Sequence, residues 1–398
     1  MRILMFSWEY PPHVVGGLGK HTAELLPPLG NLPGIDLHLV TPRWSGGELC
    51  EKVGAATVHR IDPPIIEGDF YTSAWQTNRV LEEYAHTLWE SHGPFDLVHV
   101  HDWLVAFVGA AFKHHYRVPL VSTIHATERG RGRGALSSDQ ARSIHHVEWW
   151  LTFESWRVIA CSDYMVHEIV EYFATPPDKI CVVPNGVETE RFDRLIGQDL
   201  SHFRNMYGLP YEEILFSVGR IVYEKGMHVL IQAMPQVLAR HPSAKLVIAG
   251  RGPELEALRS LSWQFGIGEK VLITGFIPDE ARDRLFVTAN CAVFPSLYEP
   301  FGIVALEAMA ARCPVVVSRV GGLQDVVEHN ETGIVVHPND PDSLAWGILH
   351  TLQHPTWSAA RVRNAYQMVK ERYSWQHIAQ MTADVYREVI AERKATDW

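Results

Sequence analysis

The stretch from Ser296 to Ala310, SLYEPFGIVALEAMA, places one carboxylate on a loop and a second one inside an apolar helix. Pro300 and Gly302 interrupt the helical pattern, because proline lacks a backbone donor and glycine costs helical entropy. Glu299 is therefore predicted to lie on the loop. From Ile303 onward the apolar residues recur at helical spacing, which predicts that the helix starts there.

This predicted helix start offers hydrogen-bond donors to an anionic ligand. Its first N–H groups have no partner within the helix, and such a terminus attracts phosphate. Glu307, little more than one turn further on, can accept two hydrogen bonds from a vicinal diol such as a ribose. The arrangement suits a nucleoside diphosphate sugar, although two glutamates eight positions apart also occur by chance. The residues predicted to bind this donor are Glu299, Phe301, Gly302, Ile303, Val304 and Glu307.

The composition is that of an ordinary globular protein with enough chain for two domains. The 398 residues are 46% hydrophobic and 20% charged, and the formal net charge of -11 disfavours nucleic acid as a partner. Five scattered cysteines without Cys-x-x-Cys spacing argue against a disulfide framework and a zinc site. No secretory leader or membrane-spanning run is recognised, so a cytoplasmic protein without a transmembrane segment is predicted.

Apolar runs of strand length alternate with helical patterns along the whole chain, which predicts parallel sheets covered by helices. A turn signal at Pro184-Asn185-Gly186 and a polar stretch after it separate two such series. We predict an α/β protein with domains at 1–190 and 207–372, and a C-terminal helix at 375–398 that packs back on the first. Two doubly wound, Rossmann-like domains facing a cleft are expected to bind ligands beyond the carboxyl ends of their strands.

Cations follow predicted strands in the second domain. Arg220 comes directly after the strand Ile214 to Val218, and Lys225 follows within a short loop. Both residue types neutralise phosphate, so they are predicted to hold a diphosphate, the alternative being solvated surface cations. Arg251, in a Gly-x-Gly turn after another strand, and Ile277, whose backbone is predicted near the base, complete the donor set.

Polar groups also follow the strands of the first domain. The loop containing Gly16 and Gly17 precedes a helix and is predicted to present backbone amides to the donor. Asp102 and His125 end two successive strands and are predicted to be neighbours at the reacting centre. The alternative for His99, His101 and Asp102 is a metal site. No further ligand lies near them in the sequence, so no metal is predicted.

A local basic segment follows His125 in this acidic chain. It is predicted to bind the phosphate of an acceptor, and a solvated loop is the alternative. The predicted acceptor-binding residues are Trp103, Arg129, Arg131, Arg133 and Arg142.

Taken together, these motifs resemble the retaining GT-B glycosyltransferases, the group that includes glycogen synthases and sucrose phosphate synthases. The resemblance covers nearly the whole chain. It implies that Arg220 and Lys225 hold the donor diphosphate, that Glu299 meets donor-sugar hydroxyls, and that His125 and Asp102 lie at the transfer centre. It also implies reaction on one face of the sugar without a protein nucleophile, so the predicted catalytic residues are His125, Asp102, Arg220, Lys225 and Glu299.

The resemblance leaves the acceptor open. Trp8 to Pro12 and His101-Asp102-Trp103 look like the glucan synthases, yet their Lys-x-Gly-Gly motif is not matched, because Val14 and Val15 precede Gly16. Transfer from UDP-glucose, or ADP-glucose, to fructose 6-phosphate is therefore predicted, without a cofactor, and glucan elongation is the alternative. An epimerase or a silent nucleotide-sugar binder would share the donor features.

Overall fold

The computed structural model describes residues 1–65 and 68–398, which divide into two compact units. The first unit comprises Met1–Gly186 with Trp375–Trp398, and the second comprises Val187–Ser374. The sequence predicted 1–190 with 375–398, and 207–372. The polar stretch that was left between the predicted domains therefore belongs to the second unit, where it carries two short helices.

The first unit is built on a sheet in which eight strands pair among the described residues, in the order β3-β4-β2-β1-β5-β6-β7-β8. Its strands are β1 Arg2–Phe6, β2 Asp36–Pro42, β3 Cys50–Val53, β4 Ala56–Ile61, β5 Leu97–His101, β6 Leu120–Ile124, β7 Arg157–Ala160 and β8 Ile180–Val182. Its helices are α1 Gly17–Gly30, α2 Phe70–His92, α3 Ala106–Tyr116, α4 Glu128–Arg131, α5 Asp139–Glu154, α6 Asp163–Phe173 and α16 Trp375–Lys394.

The strands of this sheet pair in parallel except for β3, which pairs antiparallel with β4. Strands such as β5 and β6 are buried at every position, as expected for apolar strands covered on both faces. The β3–β4 hairpin was not predicted, because β3 is short and alternates between exposed and half-buried residues.

The second unit has a sheet of six parallel strands within the described chain, in the order β11-β10-β9-β12-β13-β14. Its strands are β9 Glu213–Val218, β10 Ala244–Ala249, β11 Val271–Gly275, β12 Cys291–Phe294, β13 Val315–Ser318 and β14 Ile334–Val336. Its helices are α7 Glu190–Asp193, α8 Ser201–Arg204, α9 Met227–Arg240, α10 Leu255–Gln264, α11 Asp279–Thr288, α12 Ile303–Ala310, α13 Leu323–Val326, α14 Pro341–Gln353 and α15 Pro355–Arg372.

In both sheets the strand order reverses beside the first strand of the unit. β1 lies between β2 and β5, and β9 lies between β10 and β12. The loops that leave neighbouring strands at such a switch point diverge and open a crevice at the carboxyl edge. The loops after β1 and β5, and those after β9 and β12, are therefore the places where each unit can bind a ligand.

The C-terminal helix α16 packs against α1 in the core of the first unit. Its buried apolar residues include Ile378, Val385 and Val389. Tyr386 is fully buried beside them, and its hydroxyl lies 2.6 Å from Nδ1 of His99 on β5. The last element of the chain thereby completes the first unit. Among the described helices, none is long and apolar enough to span a membrane.

Candidate functional site

A lysine and a glutamate meet at the switch point of the second sheet. Nζ of Lys225, on a 3-10 turn after β9, lies 2.6 Å from Oε2 of Glu299, on the loop after β12. The hydroxyl of Ser296 is 3.3 Å from the same oxygen. The lysine side chain is 20% exposed and the glutamate side chain 10%, so this ion pair can still be reached by solvent. It places a cation and a hydrogen-bond acceptor together where a ligand can bind.

Close backbone packing holds these two loops together. The carbonyl oxygen of Glu224 accepts the N–H of Leu297 at 2.8 Å. Gly226 has φ of +64°, and a Cβ there would lie 1.9 Å from the carbonyl oxygen of Pro295. Only glycine therefore allows the turn carrying Lys225 to approach the loop carrying Glu299.

A third loop fixes Glu299 from its other side. The carbonyl oxygen of Glu299 accepts the N–H of Gly322 at 2.9 Å, and a Cβ on Gly321 would lie 2.0 Å from that oxygen. Ser296, Gly321 and Gly322 were not predicted, although the Gly-Gly pair two residues after the end of β13 is a signal that could have indicated the two glycines.

The predicted helix start lies beside this pair. Helix α12 begins at Ile303, after Gly302 with φ of +105°, and Glu299 lies on the preceding loop. Ile303 and Val304 therefore carry N–H groups that helical bonding leaves available. Phe301 is 4% exposed and its ring contacts that of Tyr373, so it packs beneath the helix start.

The other predicted donor residues of this unit lie on neighbouring loops. Arg220 is half exposed and pairs with Glu224 at 3.5 Å. Arg251 lies over the ring of Phe276, with 5.0 Å between its Cζ and the ring centroid, and Phe276 itself is 62% exposed. Ile277 follows it and is half-buried. These side chains line the carboxyl edge of β9, β10 and β11.

The glycines around Arg251 serve packing. A Cβ on Gly250 would lie 1.8 Å from the carbonyl oxygen of Gly219, and one on Gly252 would lie 2.0 Å from that of Ile221. Backbone contact between adjacent loops therefore accounts for this Gly-x-Gly turn, which the sequence had also suggested as a ligand contact.

Glu307 lies in a different environment from the one predicted. It is 1% exposed and pairs with Arg191 and, at 3.3 Å, with Arg282. Asp283 joins both arginines, at 3.3 Å from Nε of Arg191 and 3.0 Å from Nη2 of Arg282. Burial raises the pKa of the Asp283 carboxyl, and both arginines oppose that shift. The expectation of an open carboxylate at Glu307 is thus corrected, and its contact with a ribose stays a prediction.

In the first unit, the glycine loop after β1 already binds a carboxylate. Oε2 of Glu9 accepts the N–H groups of Val15 at 2.8 Å and of Gly16 at 3.1 Å. A Cβ on Gly19 would lie 2.7 Å from the same oxygen. The Gly16 amide thus has a partner in this structure, helix α1 begins at the neighbouring Gly17, and the contact of this loop with the donor stays a prediction. Glu9 was missed because it precedes the loop by several residues.

Asp102 and His125 are neighbours, as expected for residues that end adjacent parallel strands. Oδ1 of Asp102 accepts the backbone N–H of His125 at 2.7 Å. Asp102 has φ of +61° and is 4% exposed. Its burial raises the pKa of the carboxyl to about 6, although Arg131 acts in the opposite direction. Burial also disfavours the charged form of His125, and for a histidine this lowers the pKa, here to about 3. The structure thus keeps His125 neutral and uses Asp102 to fix its backbone.

Two further histidines contact His125. Nδ1 of His101 lies 3.1 Å from Nε2 of His125, and the ring of His21, on α1, lies 4.7 Å from that of His125. Nδ1 of His21 is 2.7 Å from Oδ1 of Asn185. The strand pattern that predicted Asp102 and His125 as neighbours contains no signal for His21, because His21 lies on helix α1 and not at the end of a strand.

The basic segment after His125 is ordered by partners within the first unit. Arg129 donates Nε to the carbonyl oxygen of Gly134 and lies over the ring of Tyr172. Arg131 lies 3.8 Å from Glu128, and Arg142 pairs with Asp139. Arg133 follows the short helix α4, with φ of +52°. Several of these cations thus have partners nearby, whereas residues 131–135 are exposed, and binding of an acceptor by the segment stays a prediction.

Trp103 is also placed differently from the prediction. It is 3% exposed, and its ring packs against those of Phe70 and Tyr71. Its role in this structure is core packing rather than an open surface for an acceptor.

Comparisons with known proteins give the family of this chain. Residues 15–191 match the model for Glycosyltransferase Family 4, and residues 204–368 match that for Glycosyl transferases group 1. An uncharacterised glycosyltransferase of Methanocaldococcus jannaschii is 42% identical over 97% of this chain and 98% of its own length. The chain is a GT-B glycosyltransferase.

Two further relatives extend this assignment. The glycosyltransferase is 36% identical to a glycogen synthase of Mycobacterium tuberculosis, over 97% of the chain and 94% of that protein. A sucrose-phosphate synthase from Thermosynechococcus elongatus has the same fold, with a TM-score of 0.81 and 24% identity over 98% of this chain and 99% of that one. The expected GT-B glycosyltransferase family and the two Rossmann-like units are confirmed, and these units carry the candidate residues.

Proposed function

We propose that this glycosyltransferase transfers glucose from a nucleoside diphosphate glucose to the end of an α-glucan, with retention at the anomeric carbon. The observation that carries the proposal is the 2.6 Å contact between Lys225 and Glu299 beside the start of helix α12. Lys225 can neutralise a leaving diphosphate, and Glu299 can accept hydrogen bonds from sugar hydroxyls. Because the two side chains are in contact, one nucleotide sugar can bind to both. The scattered cysteines support a cytoplasmic location.

The main catalytic requirement is stabilisation of the charge that develops on the departing diphosphate. In this proposal Lys225 and Arg220 neutralise that charge, and the N–H groups of Ile303 and Val304 donate to its oxygens. The glycosidic bond to the diphosphate breaks, the acceptor oxygen bonds to the same face of the sugar, and the acceptor proton passes to the diphosphate. Glu299 holds sugar hydroxyls and forms no covalent bond.

Within the first unit, His125 is proposed to contact the reacting sugar. Its neutral imidazole can donate one hydrogen bond to a hydroxyl. Asp102 then acts as a positioning residue, because its carboxylate accepts the backbone N–H of His125 at 2.7 Å.

An α-glucan is favoured as the acceptor by two observations. A relative 36% identical over nearly the whole chain is a glycogen synthase. In addition, Arg129 and Arg142, predicted to bind an acceptor phosphate, already have partners in the first unit. Fructose 6-phosphate remains the second candidate, because the basic segment still lies only a few residues after His125.

The test crosses UDP-glucose and ADP-glucose with maltooligosaccharides and fructose 6-phosphate, using purified full-length protein. We expect one added glucose per transfer to the oligosaccharide, with an α linkage in the proton spectrum. If product forms with fructose 6-phosphate and not with maltooligosaccharides, fructose 6-phosphate replaces the α-glucan as the proposed acceptor. A β linkage would refute retention, and consumption of donor without any acceptor product would refute transfer.

The role of Lys225 has its own test. Lys225→Ala should lower the transfer rate about 100- to 1000-fold, as loss of one preorganised charge-stabilising group does, and weaken nucleotide binding. Lys270→Ala is the matched control, because Nζ of Lys270 also lies 2.7 Å from a glutamate, Glu212, but at the opposite edge of the sheet. Equal rates for the two variants would contradict the assignment.

A further inference from the structure

The histidines around His125 form a compact group in the first unit. His21, His101 and His125 each offer one ring nitrogen, and these three atoms lie within 4.8 Å of one another. They come from α1, β5 and the loop directly after β6, so packing of the unit itself brings them together. His21 is 3% exposed and His101 is fully buried, whereas His125 is half-buried and borders solvent.

The spacing of these nitrogens suits a transition metal. Nδ1 of His101 and Nε2 of His125 are 3.1 Å apart. Two imidazole nitrogens on one tetrahedral zinc ion, each about 2.0 Å from the metal, are separated by roughly 3.3 Å. Small ring rotations would therefore direct both lone pairs at one cation, with His21 as the third ligand.

The surroundings of the group also resemble those of a metal site. Metal-binding histidines usually have their second ring nitrogen held by a hydrogen-bond partner. Nδ1 of His21 is held in this way, 2.7 Å from Oδ1 of Asn185, which is itself 3% exposed. Nε2 of His101 is buried and has no hydrogen-bond partner within residues 1–65 and 68–398. Nδ1 is the ring atom of His101 that faces His125, so Nε2 is the second ring nitrogen of that residue and not the atom that would coordinate a cation.

A neighbouring histidine shows what a purely structural role looks like here. Nδ1 of His99 lies 2.6 Å from the Tyr386 hydroxyl, and Nε2 lies 2.8 Å from that of Thr123. Both ring nitrogens of His99 are therefore satisfied within the core, in contrast to Nε2 of His101.

We propose that His21, His101 and His125 together bind one divalent transition-metal ion of the zinc class, with solvent at the fourth position on the side of His125. The site lies in the first unit, and its existence does not depend on the acceptor or donor of the transfer reaction. If the proposed function is also correct, the bound ion holds the His125 ring that contacts the sugar, so zinc inhibits transfer.

The test measures binding without any substrate. Full-length protein is freed of metal with a chelator and titrated with zinc in competition with a chromogenic chelator, and with cobalt while the visible absorption is recorded. The background is a His350→Ala, His354→Ala double variant, since these two residues are one turn apart on the surface and could bind zinc weakly. We expect one ion per chain and the intense visible bands of tetrahedral cobalt.

The variants separate ligation from folding. His21→Gln retains a polar side chain of similar length and should weaken zinc binding at least tenfold, as should His125→Gln. His146→Gln, at an exposed position on α5, should not alter it. Thermal unfolding without metal identifies any variant that fails to fold, and Asn185→Ala then provides an independent test through the orientation of His21. No stoichiometric zinc in the double-variant background, or zinc binding unchanged in both glutamine variants, overturns the proposal.

Zinc inhibition of transfer is measured separately, with reversal by chelator. Inhibition that persists in folded His21→Gln places the ion elsewhere and counts against this cluster. A protein that binds zinc but transfers no glucose refutes the proposed function and leaves the metal site standing.

Discussion

At the residue scale, two glutamates of one sequence motif have opposite environments. Glu299 pairs with Lys225 near solvent, whereas Glu307 is buried among two arginines and an aspartate. An accessible pair can exchange partners when a ligand binds. A buried group of charges is costly to desolvate and depends on every member being present. Glu307 therefore contributes to the stability of the second unit whatever it does in binding.

This difference predicts the effect of removing Arg191. Arg191→Ala leaves the buried Glu307 carboxylate with one arginine fewer and should cost about 3–5 kcal/mol of unfolding free energy. Arg194→Ala is the control, because its ion pair with Glu188 is exposed, with 73% and 50% of the two side chains accessible, and such pairs contribute about 0–1 kcal/mol. Urea unfolding of both variants measures the two losses. Similar losses would show that Glu307 does not depend on Arg191.

Glu148 provides a pH-dependent prediction. It is 1% exposed and accepts the N–H of Glu128, and burial raises the pKa of its carboxyl well above the usual value. The folded state then holds this proton more tightly than the unfolded state. Its contribution to stability is therefore largest below the unfolded pKa and is lost as the pH rises through the folded pKa.

Replacement of Glu148 tests this sign. The Glu148→Gln variant lacks the titration, so its stability relative to the parent should increase with rising pH, by at most about 1.4 kcal/mol per pH unit. Unfolding free energies across the pH range measure the trend, and Glu256→Gln, at an exposed position, controls for the loss of one negative charge. A difference between parent and variant that is independent of pH would contradict the assigned pKa direction.

At the scale of elements, strand order explains why much of the site could be predicted. The apolar runs at β5, β6, β9 and β12 are clear in the sequence, and parallel strands bring the residues after them to one edge. Asp102 with His125, and Lys225 with Glu299, were predictable as neighbours for this reason. The environments of Trp103 and of the Glu9 carboxylate could not be predicted in this way. They depend on packing between segments that are separate in the sequence, and a local sequence pattern does not show which segments pack together.

The histidine cluster shows the same limit. His101 and His125 end adjacent strands, but His21 joins them from a helix that begins after the glycine loop. Its contact depends on how α1 lies on the sheet, which hydrophobic periodicity leaves undetermined. One of the arginines around Glu307 is also distant in sequence, since Arg191 precedes it by 116 residues.

One glycine decides how closely two elements of the second unit approach each other. Gly226→Ala should move the turn of Lys225 away from Glu299, because its Cβ would lie 1.9 Å from the carbonyl oxygen of Pro295. Gly266→Ala is the control, because Gly266 has nearly the same backbone conformation, with φ of +68° against +64° for Gly226, but a Cβ there would meet no atom within 4 Å. This control should lose about 1–2 kcal/mol of unfolding free energy, from backbone strain alone. We expect Gly226→Ala to lose more stability than this control and to lose transfer activity. Equal stability and normal transfer would show that the close approach is not required.

At the scale of the whole molecule, the first unit is formed by two separate parts of the sequence. The first unit needs the last helix, because α16 covers α1 and contributes Trp375, Ile378 and Tyr386 to its core. Nε1 of Trp375 also donates to Glu24 on α1 at 2.7 Å. The second unit, Val187–Ser374, is thus inserted between two parts of the first.

This arrangement predicts that the two units respond differently to truncation. Removal of residues 375–398 exposes the apolar face of α1 and leaves Nδ1 of His99 without the Tyr386 hydroxyl, so the first unit should unfold at a clearly lower temperature or aggregate. The second unit keeps its own core and should retain its transition in calorimetry. Tyr386→Phe is the milder variant, and loss of its one hydroxyl should cost about 1–3 kcal/mol in the first unit alone. Loss of both transitions together in the truncated protein would mean that the second unit depends on the first for its stability.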